Sequence, residues 1–241
     1  MLTVAIFTYK RLDRLNRCIE SLDSKNISEI LIFNDDEEES ITSDKLVLKK
    51  SQKDIIKINN PSDFNFSDRK FRKPIYMNKA MKIAKNELLL FTDDDGIFQE
   101  GVIDLHFNAL EKYPFTAGSI IRSKLLNRIS KSILQGTNYA FRRDFFNNVG
   151  GYDEFFTESM GGGDIDFWLR IYRYTKKNNI PVAFIPSAIQ KVVSKSKRTK
   201  KNTLLDPRKY TLKKHNLNLQ GPMYSWFKEI RDKYKWMDII T

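Results

Sequence analysis

The order of apolar and polar positions divides the first half of the chain into short buried strands separated by helices. Leu2 to Thr8 (LTVAIFT) is β-rich and nearly continuous in its apolar residues, as expected of a strand covered on both faces. Leu12, Leu15, Cys18, Ile19 and Leu22 then recur at helical spacing with charged residues between them, and Ile27 to Phe33 (ISEILIF) returns to a strand. Strand, helix and strand in roughly 33 residues form a βαβ unit with parallel strands and a right-handed crossover. The pattern predicts a further strand near Ile55 to Ile58, a long loop from Pro61 to Pro74 (PSDFNFSDRKFRKP) and a helix from Met77 to Ala84. Leu88 to Phe91 is an apolar run too short for a helix and bounded by polar residues, which makes it a buried strand. Gly101 to about Lys112 predicts a helix, with Val102, Leu105, His106, Ala109 and Leu110 on its apolar side and His106 packed there instead of serving as a ligand. Phe115 to Arg122 and Thr137 to Phe141 follow as strands, Arg142 to Val149 as a short helix stopped by Gly150-Gly151, and Ile165, Trp168, Leu169 and Tyr172 as the apolar face of another helix.

The strand Leu88 to Phe91 runs into Asp93-Asp94-Asp95-Gly96. Two carboxylates about 4 Å apart repel by roughly 4 kcal/mol at an effective dielectric near 20, so three in a row call for a counter-charge. Hard oxygen ligands suit Mg2+ or Mn2+, and strand alternation sends Asp93 and Asp95 to one side and Asp94 to the other. One reading is a metal site at the carboxyl end of a sheet strand, where open α/β sheets bind ligands. The other is a solvated acidic turn with Asp95 capping the next helix. A second acidic strand end, Asn34-Asp35-Asp36, precedes the solvated run Glu37-Glu38-Glu39. Farther along, Gly161-Gly162-Gly163 lets the backbone approach a ligand. Asp164 follows it either as an N-cap or as a carboxylate that enters the same cleft and accepts a proton from a substrate hydroxyl.

Composition narrows the setting. A chain of 241 residues with 41% hydrophobic content is globular and long enough for a sizeable core. No stretch approaches the apolar length of a membrane span, and MLTVAIFTYKR lacks the parts of a signal peptide. Cys18 is the only cysteine, so no intrachain disulfide forms and a cytoplasmic location is expected. An excess of 42 basic over 30 acidic residues points to an anionic partner. Two histidines, His106 and His215, are too few for a multi-His metal site.

With these residues in view, the chain resembles a family 2 glycosyltransferase of the GT-A fold, from Val4 to about Pro186. The resemblance is carried by Thr8-Tyr9-Lys10-Arg11 for the Thr-Tyr-Asn-Arg-like turn, Asp35-Asp36 for Asp-Asp-Gly-Ser, and Met77-Asn78-Lys79-Ala80 for the Ala-Arg-Asn-x-Gly segment. Asp93-Asp94-Asp95 matches the Asp-x-Asp motif, Gly150-Gly151-Tyr152-Asp153-Glu154 matches Gly-Gly-Phe-Asp-Glu, and Gly163-Asp164-Ile165-Asp166 stands for Glu-Asp-x-Asp without its Glu. It implies an α/β fold with a Rossmann-like, mixed but mainly parallel sheet flanked by helices, expected as a catalytic domain over residues 1–190; the charge and apolar pattern of residues 191–241 predict a basic loop with a C-terminal amphipathic helical extension. The resemblance further implies a metal-dependent, inverting transferase that moves a sugar from a nucleotide-diphosphate donor, commonly a UDP-sugar, to a hydroxyl of a glycan or lipid-linked acceptor in surface polysaccharide synthesis. Asp164 is then the general base. Thr8, Tyr9, Arg11, Asp35, Asn78, Asp93 and Asp94 bind the donor nucleotide, Tyr9 and Asp35 at the base. Gly163, Asp166 and Trp168 bind the acceptor, and Asp93, Asp95 and His215 hold Mn2+ or Mg2+. Where many members carry a metal-binding His, this chain has Gln190-Lys191-Val192-Val193, and His215 is either near the diphosphate or on the surface.

Lys191 to Lys214 carries ten Lys or Arg residues and one acidic residue, Asp206. It is a solvated segment, a lid over the diphosphate, or a contact with anionic lipid on the inner face of the plasma membrane. Pro222 to Ile240 predicts an amphipathic helix whose apolar side faces either the catalytic domain or a membrane. The rival from another class is a non-catalytic nucleic-acid- or polyanion-binding protein, motivated by the net charge of +12; acidic strand ends in the cleft argue against it, since they repel phosphate unless a metal intervenes. A transferase retained only as a donor-binding subunit is a third reading.

Overall fold

The structure, a computed structural model, describes residues 1–63, 72–122, 136–158, 162–193, 207–216 and 236–240. Among the described residues, nine strands form one mixed sheet: β1 (Leu2–Thr8), β2 (Ile27–Asn34), β3 (Ile56–Asn59), β4 (Leu88–Asp93), β5 (Gly96–Phe98), β6 (Phe115–Arg122), β7 (Tyr139–Arg142), β8 (Ala183–Val192) and β9 (Asp238–Ile239). Their order is β3-β2-β1-β4-β7-β6-β8-β5, with β9 also paired to β8. β3, β2, β1 and β4 are mutually parallel. β7 runs antiparallel between β4 and β6. The chain leaves β1 toward β2 on one side and returns to β4 on the other, so a topological switch point lies between β1 and β4. Such a crevice, at the carboxyl ends of the strands, is where open α/β sheets bind ligands.

The side-chain alternation of the central strands divides the core into two layers. Ala5, Phe7, Leu31, Phe33, Leu89 and Phe91 face α2 (Lys73–Ile83), α4 (Arg143–Val149) and α5 (Gly163–Asn178). Val4, Ile6, Ile30, Ile32 and Leu90 face α1 (Leu12–Glu20) and α3 (Val102–Ala109). Because both faces are covered, β1 is buried along its whole length, as its unbroken apolar run requires. The first layer is aromatic: Phe91 lies edge-on to Phe141 (centroids 4.8 Å apart) and Trp168 edge-on to Phe115 (5.1 Å).

His106 is packed as expected, fully buried, with Nδ1 against Thr116 Oγ1 (2.8 Å) and Nε2 against Asn138 Oδ1 (3.1 Å). Burial lowers its pKa from the ordinary 6.5 to about 4, with only the Asn138 hydrogen bond opposing. The folded imidazole therefore stays neutral while the unfolded one takes a proton. This stability is complete above pH 6.5 and is lost as pH falls toward 4, by about 3 kcal/mol in all. Urea denaturation at pH 7.5 and 4.5 should show this loss, and the pH-dependent part should shrink by about that amount in His106→Gln.

Three expectations need correction. α2 begins at Lys73, four residues before the expected Met77, because Pro74 occupies its first turn, where the missing N–H costs nothing. Asp95 caps no helix, since β5 follows at Gly96. The end of the expected C-terminal helix is extended: Asp238 and Ile239 form β9 along Ala183 and Phe184. Residues 222–235 of that helix lie outside the described residues, as do the basic residues Lys195, Lys197, Arg198, Lys200 and Lys201. The basic segment does contain a helix not foreseen in the sequence, α6 (Pro207–Lys214). Among the described residues, no helix is long and apolar enough to cross a membrane.

Candidate active site

The carboxyl ends of β1, β2 and β4 are brought level by their register: Thr8 pairs with Asn34, and Phe7 with Asp93. This places Thr8, Asp35 and the Asp triplet at one edge of the sheet. Asp94 points into the protein and is fully buried. It accepts from Thr8 Oγ1 (2.7 Å) and Arg11 Nε (3.0 Å), while Arg11 Nη2 reaches its other oxygen at 2.7 Å. Burial pushes its carboxyl up to about 7, against the pull of Arg11 and Thr8. Arg11 also lies 3.7 Å from Asp95. Asp93, the most open of the three with 30% of its side chain exposed, is 2.5 Å from Lys73 Nζ. The counter-charge that the triplet demands is thus supplied in part by the chain, through Arg11 and Lys73.

Lys73 joins the triplet to α5. Its ammonium donates to Asp93 Oδ1 and to the Gly136 carbonyl (3.1 Å). Burial works against its charge, but Asp93, Asp164 and Asp95 together hold its pKa above the ordinary lysine value. A Cβ built on Gly136 would stand 2.7 and 2.8 Å from the two Asp164 oxygens and 2.9 Å from Lys73 Nζ. Asp164 therefore enters the cleft that holds Asp93. It is not the N-cap of α5; that position belongs to Gly162, at φ 90° and without a side-chain cap.

Beneath Asp93 lies a buried polar network that sequence reasoning missed. The Asp93 N–H donates to Thr137 Oγ1 (3.2 Å), Thr137 donates to Gln190 Oε1 (2.8 Å), and Gln190 Nε2 donates to Thr92 Oγ1 (2.7 Å). Gln190, from the segment where the resemblance expects a metal-binding His, instead braces the end of β4 from β8. Lys73, Gly136 and Thr137 had no distinguishing signal: the lysine is one of a basic knot, and the Gly-Thr pair opens an ordinary strand.

The remaining candidates separate. Asp35 takes the Arg72 backbone N–H (3.3 Å) and guanidinium (3.1 Å), and burial raises its carboxyl to about 6 against these bonds. Tyr9 is half-exposed at the rim. The Asn78 amide ties α2 to the Gly150–Glu154 turn through the Tyr152 carbonyl (2.9 Å), the Tyr152 N–H (2.8 Å) and Glu154 (3.0 Å). Trp168 is 1% exposed among Phe115 and Tyr139, so it belongs to the core and has no surface to offer an acceptor. Gly163 is buried against Phe156, and Asp166 is fully buried. His215 is not brought to the triplet; its ring nitrogens meet Asp166 (2.8 Å) and Arg173 (3.1 Å). Cys18 is buried and its thiol pushed up by burial, which excludes it as a nucleophile.

Among the described residues, no three His, Cys, Asp or Glu side chains are grouped to hold a metal. The donor set nevertheless fits a hard cation. Asp93 and Asp95 both reach the surface of the cleft, and Mg2+-type ions are commonly held by one or two carboxylates together with substrate phosphates instead of an all-protein cage.

A family model described as glycosyl transferase family 2 matches residues 3–162. No curated protein matches the chain by sequence. Among solved structures, S. aureus TarS 1-349 in complex with UDP-GlcNAc is 14% identical over 87% of this chain and 63% of that one, with a TM-score of 0.59. A second structure of S. aureus TarS 1-349 gives 14% identity, 81% and 58% coverage and a TM-score of 0.52. A further S. aureus TarS structure gives 13%, 81%, 35% and 0.51. The chain therefore spans between about a third and three fifths of the length of these proteins, and at such identities the likeness is one of fold.

Proposed function

The chain belongs to glycosyl transferase family 2, and from that premise we propose that it transfers a sugar, with inversion, from a UDP-sugar to a hydroxyl of a glycan or lipid-linked acceptor, in surface polysaccharide synthesis. The observation that carries this reading is the meeting of Asp164 and Asp93 across Lys73 and Gly136 at the switch point of the sheet. Asp164 and Asp93 share one cleft from different elements, α5 and β4, which supports their roles as proton acceptor and donor-side carboxylate. The UDP-GlcNAc named for the TarS complex favours a uridine nucleotide as the donor's base and diphosphate.

Asp35 and Tyr9, beside the end of β1, receive the base. Asp93 and Asp95 would hold a Mn2+ or Mg2+ ion, which when bound would neutralise charge on the departing nucleoside diphosphate. Arg11 and Thr8 keep Asp94 turned inward, so the triplet divides into two outward carboxylates and one structural one. Asp164 accepts the proton of the acceptor hydroxyl as that oxygen attacks the anomeric carbon. Lys73 fixes the spacing between the two carboxylates.

A thermal-shift panel of nucleotide sugars, with and without Mn2+, tests the reading. UDP-sugars should stabilise the protein, more strongly with Mn2+; stabilisation by plain oligonucleotides alone would sink it. The Gly136 contact gives a second prediction. Gly136→Ala must displace Asp164 or Lys73, and misplacement by about 1 Å typically costs about 100-fold in rate. Transfer should fall by that order while the melting temperature changes little, as measured by initial rates beside differential scanning calorimetry.

A further inference from the structure

The start of α5, which carries Asp164, is held from outside by α6. Pro207 closes on Gly162 so tightly that a Cβ built on that glycine would lie 2.8 Å from the proline's Cβ. Tyr210 stacks on Phe155 with ring centroids 3.8 Å apart and donates its hydroxyl to Asp153 Oδ2 (2.7 Å). Lys214 Nζ reaches Asp153 (2.8 Å) and Asp166 Oδ1 (2.7 Å). His215 meets the same Asp166 oxygen through Nε2 (2.8 Å), and Arg170 Nε donates to the other (2.9 Å). Because a guanidinium only donates, His215 Nδ1 accepts from Arg173 and Nε2 carries the proton toward Asp166. Despite its burial, the Asp166 carboxyl is held down at about 2 by His215, Arg170 and Lys214.

A fully buried carboxylate persists only where its charge is met, and two of the partners of Asp166 come from the end of α6. The same helix grips the Gly150–Glu154 turn through Asp153. It therefore bridges the segments on either side of the α5 start. That start has little rigidity of its own, with Gly162 at φ 90°, Gly163 next and no side-chain cap.

We propose that Asp166, Lys214 and His215 form a latch that seats α6 and thereby fixes the first turn of α5, so that Asp166 is a positioning residue for Asp164 and not an acceptor contact. The assignment rests on Asp164 being the base. The test uses the full chain and the variants His215→Leu, Lys214→Met and His215→Gln, followed by amide hydrogen exchange. Loss of one buried charge-assisted hydrogen bond should speed exchange roughly tenfold or more. In the first two variants this should occur both in Pro207–Lys214 and in the first turn of α5, while the last turns of α5 stay protected. His215→Gln, which offers an amide N–H to Asp166, should restore slow exchange. Calorimetric affinity for UDP should be unchanged, since Tyr9, Asp35, Asp93 and Asp95 lie at the carboxyl ends of β1, β2 and β4, and kcat should fall about tenfold at constant donor KM. Faster exchange in α6 with the α5 start still protected would reduce the contact to local packing and overturn the proposal. A fall in UDP affinity parallel to the rate would also overturn it. Full transfer by Asp164→Asn would refute the base assignment without altering the exchange result, so the two failures are distinguishable.

Discussion

Asp164→Asn should lower sugar transfer by about 1,000-fold while leaving UDP-sugar affinity near that of the wild type. The carboxamide has nearly the same shape as the carboxylate, so it should fit beside Gly136 and Lys73 without moving them, but it cannot accept a proton at neutral pH. General-base assistance contributes roughly 100- to 10,000-fold, which sets the expected range. The donor residues reside on other elements, so a selective loss of rate is the informative outcome. Initial-rate kinetics and calorimetry on the same preparation check both halves. Loss of donor binding together with rate would make Asp164 a donor-site or structural residue.

Asp95→Ala should remove Mn2+-dependent UDP binding, by about 100-fold or more in affinity, and leave the fold intact. Of the triplet, Asp94 is committed to Thr8 and Arg11 inside the protein, whereas Asp95 lies 3.7 Å from Arg11 and keeps 12% of its side chain exposed. Removing it takes one of two outward hard-oxygen ligands from a cation that depends on few protein groups. Titration of UDP with and without Mn2+ measures the effect. Equal UDP affinity in variant and wild type, or full activity in excess chelator, would show that Asp95 binds no metal. The same comparison on Asp94→Asn should disturb stability more than metal dependence, because Arg11 would lose a buried charged partner.

Much of the scaffold was legible because the central strands are buried on both faces and write themselves as apolar runs. The bounds of β1 and β6 agree with the sequence reading residue for residue. The Asp triplet was legible because three adjacent carboxylates demand an electrostatic explanation. Its counter-ions were not, since Arg11 and Lys73 lie 83 and 20 residues from the aspartates they meet and only the tertiary fold brings them together. Trp168 shows two lines of sequence reasoning in conflict: helical periodicity put it on an apolar face, family analogy put it at the acceptor, and burial decides for the first. Asp166 and His215 are 49 residues apart, and α6, with its dense charge, has no apolar stripe that would mark it as a helix with a docking face. The segment was therefore visible only as a basic run.

The most direct measurement is UDP release from a panel of UDP-sugars by the full wild-type chain, followed continuously with Mn2+ and with chelator. The account predicts that one UDP-sugar is turned over, that Mn2+ stimulates the reaction, and that an added sugar acceptor accelerates it. A folded protein that binds UDP yet releases none from any UDP-sugar, with or without metal and acceptor, would contradict it.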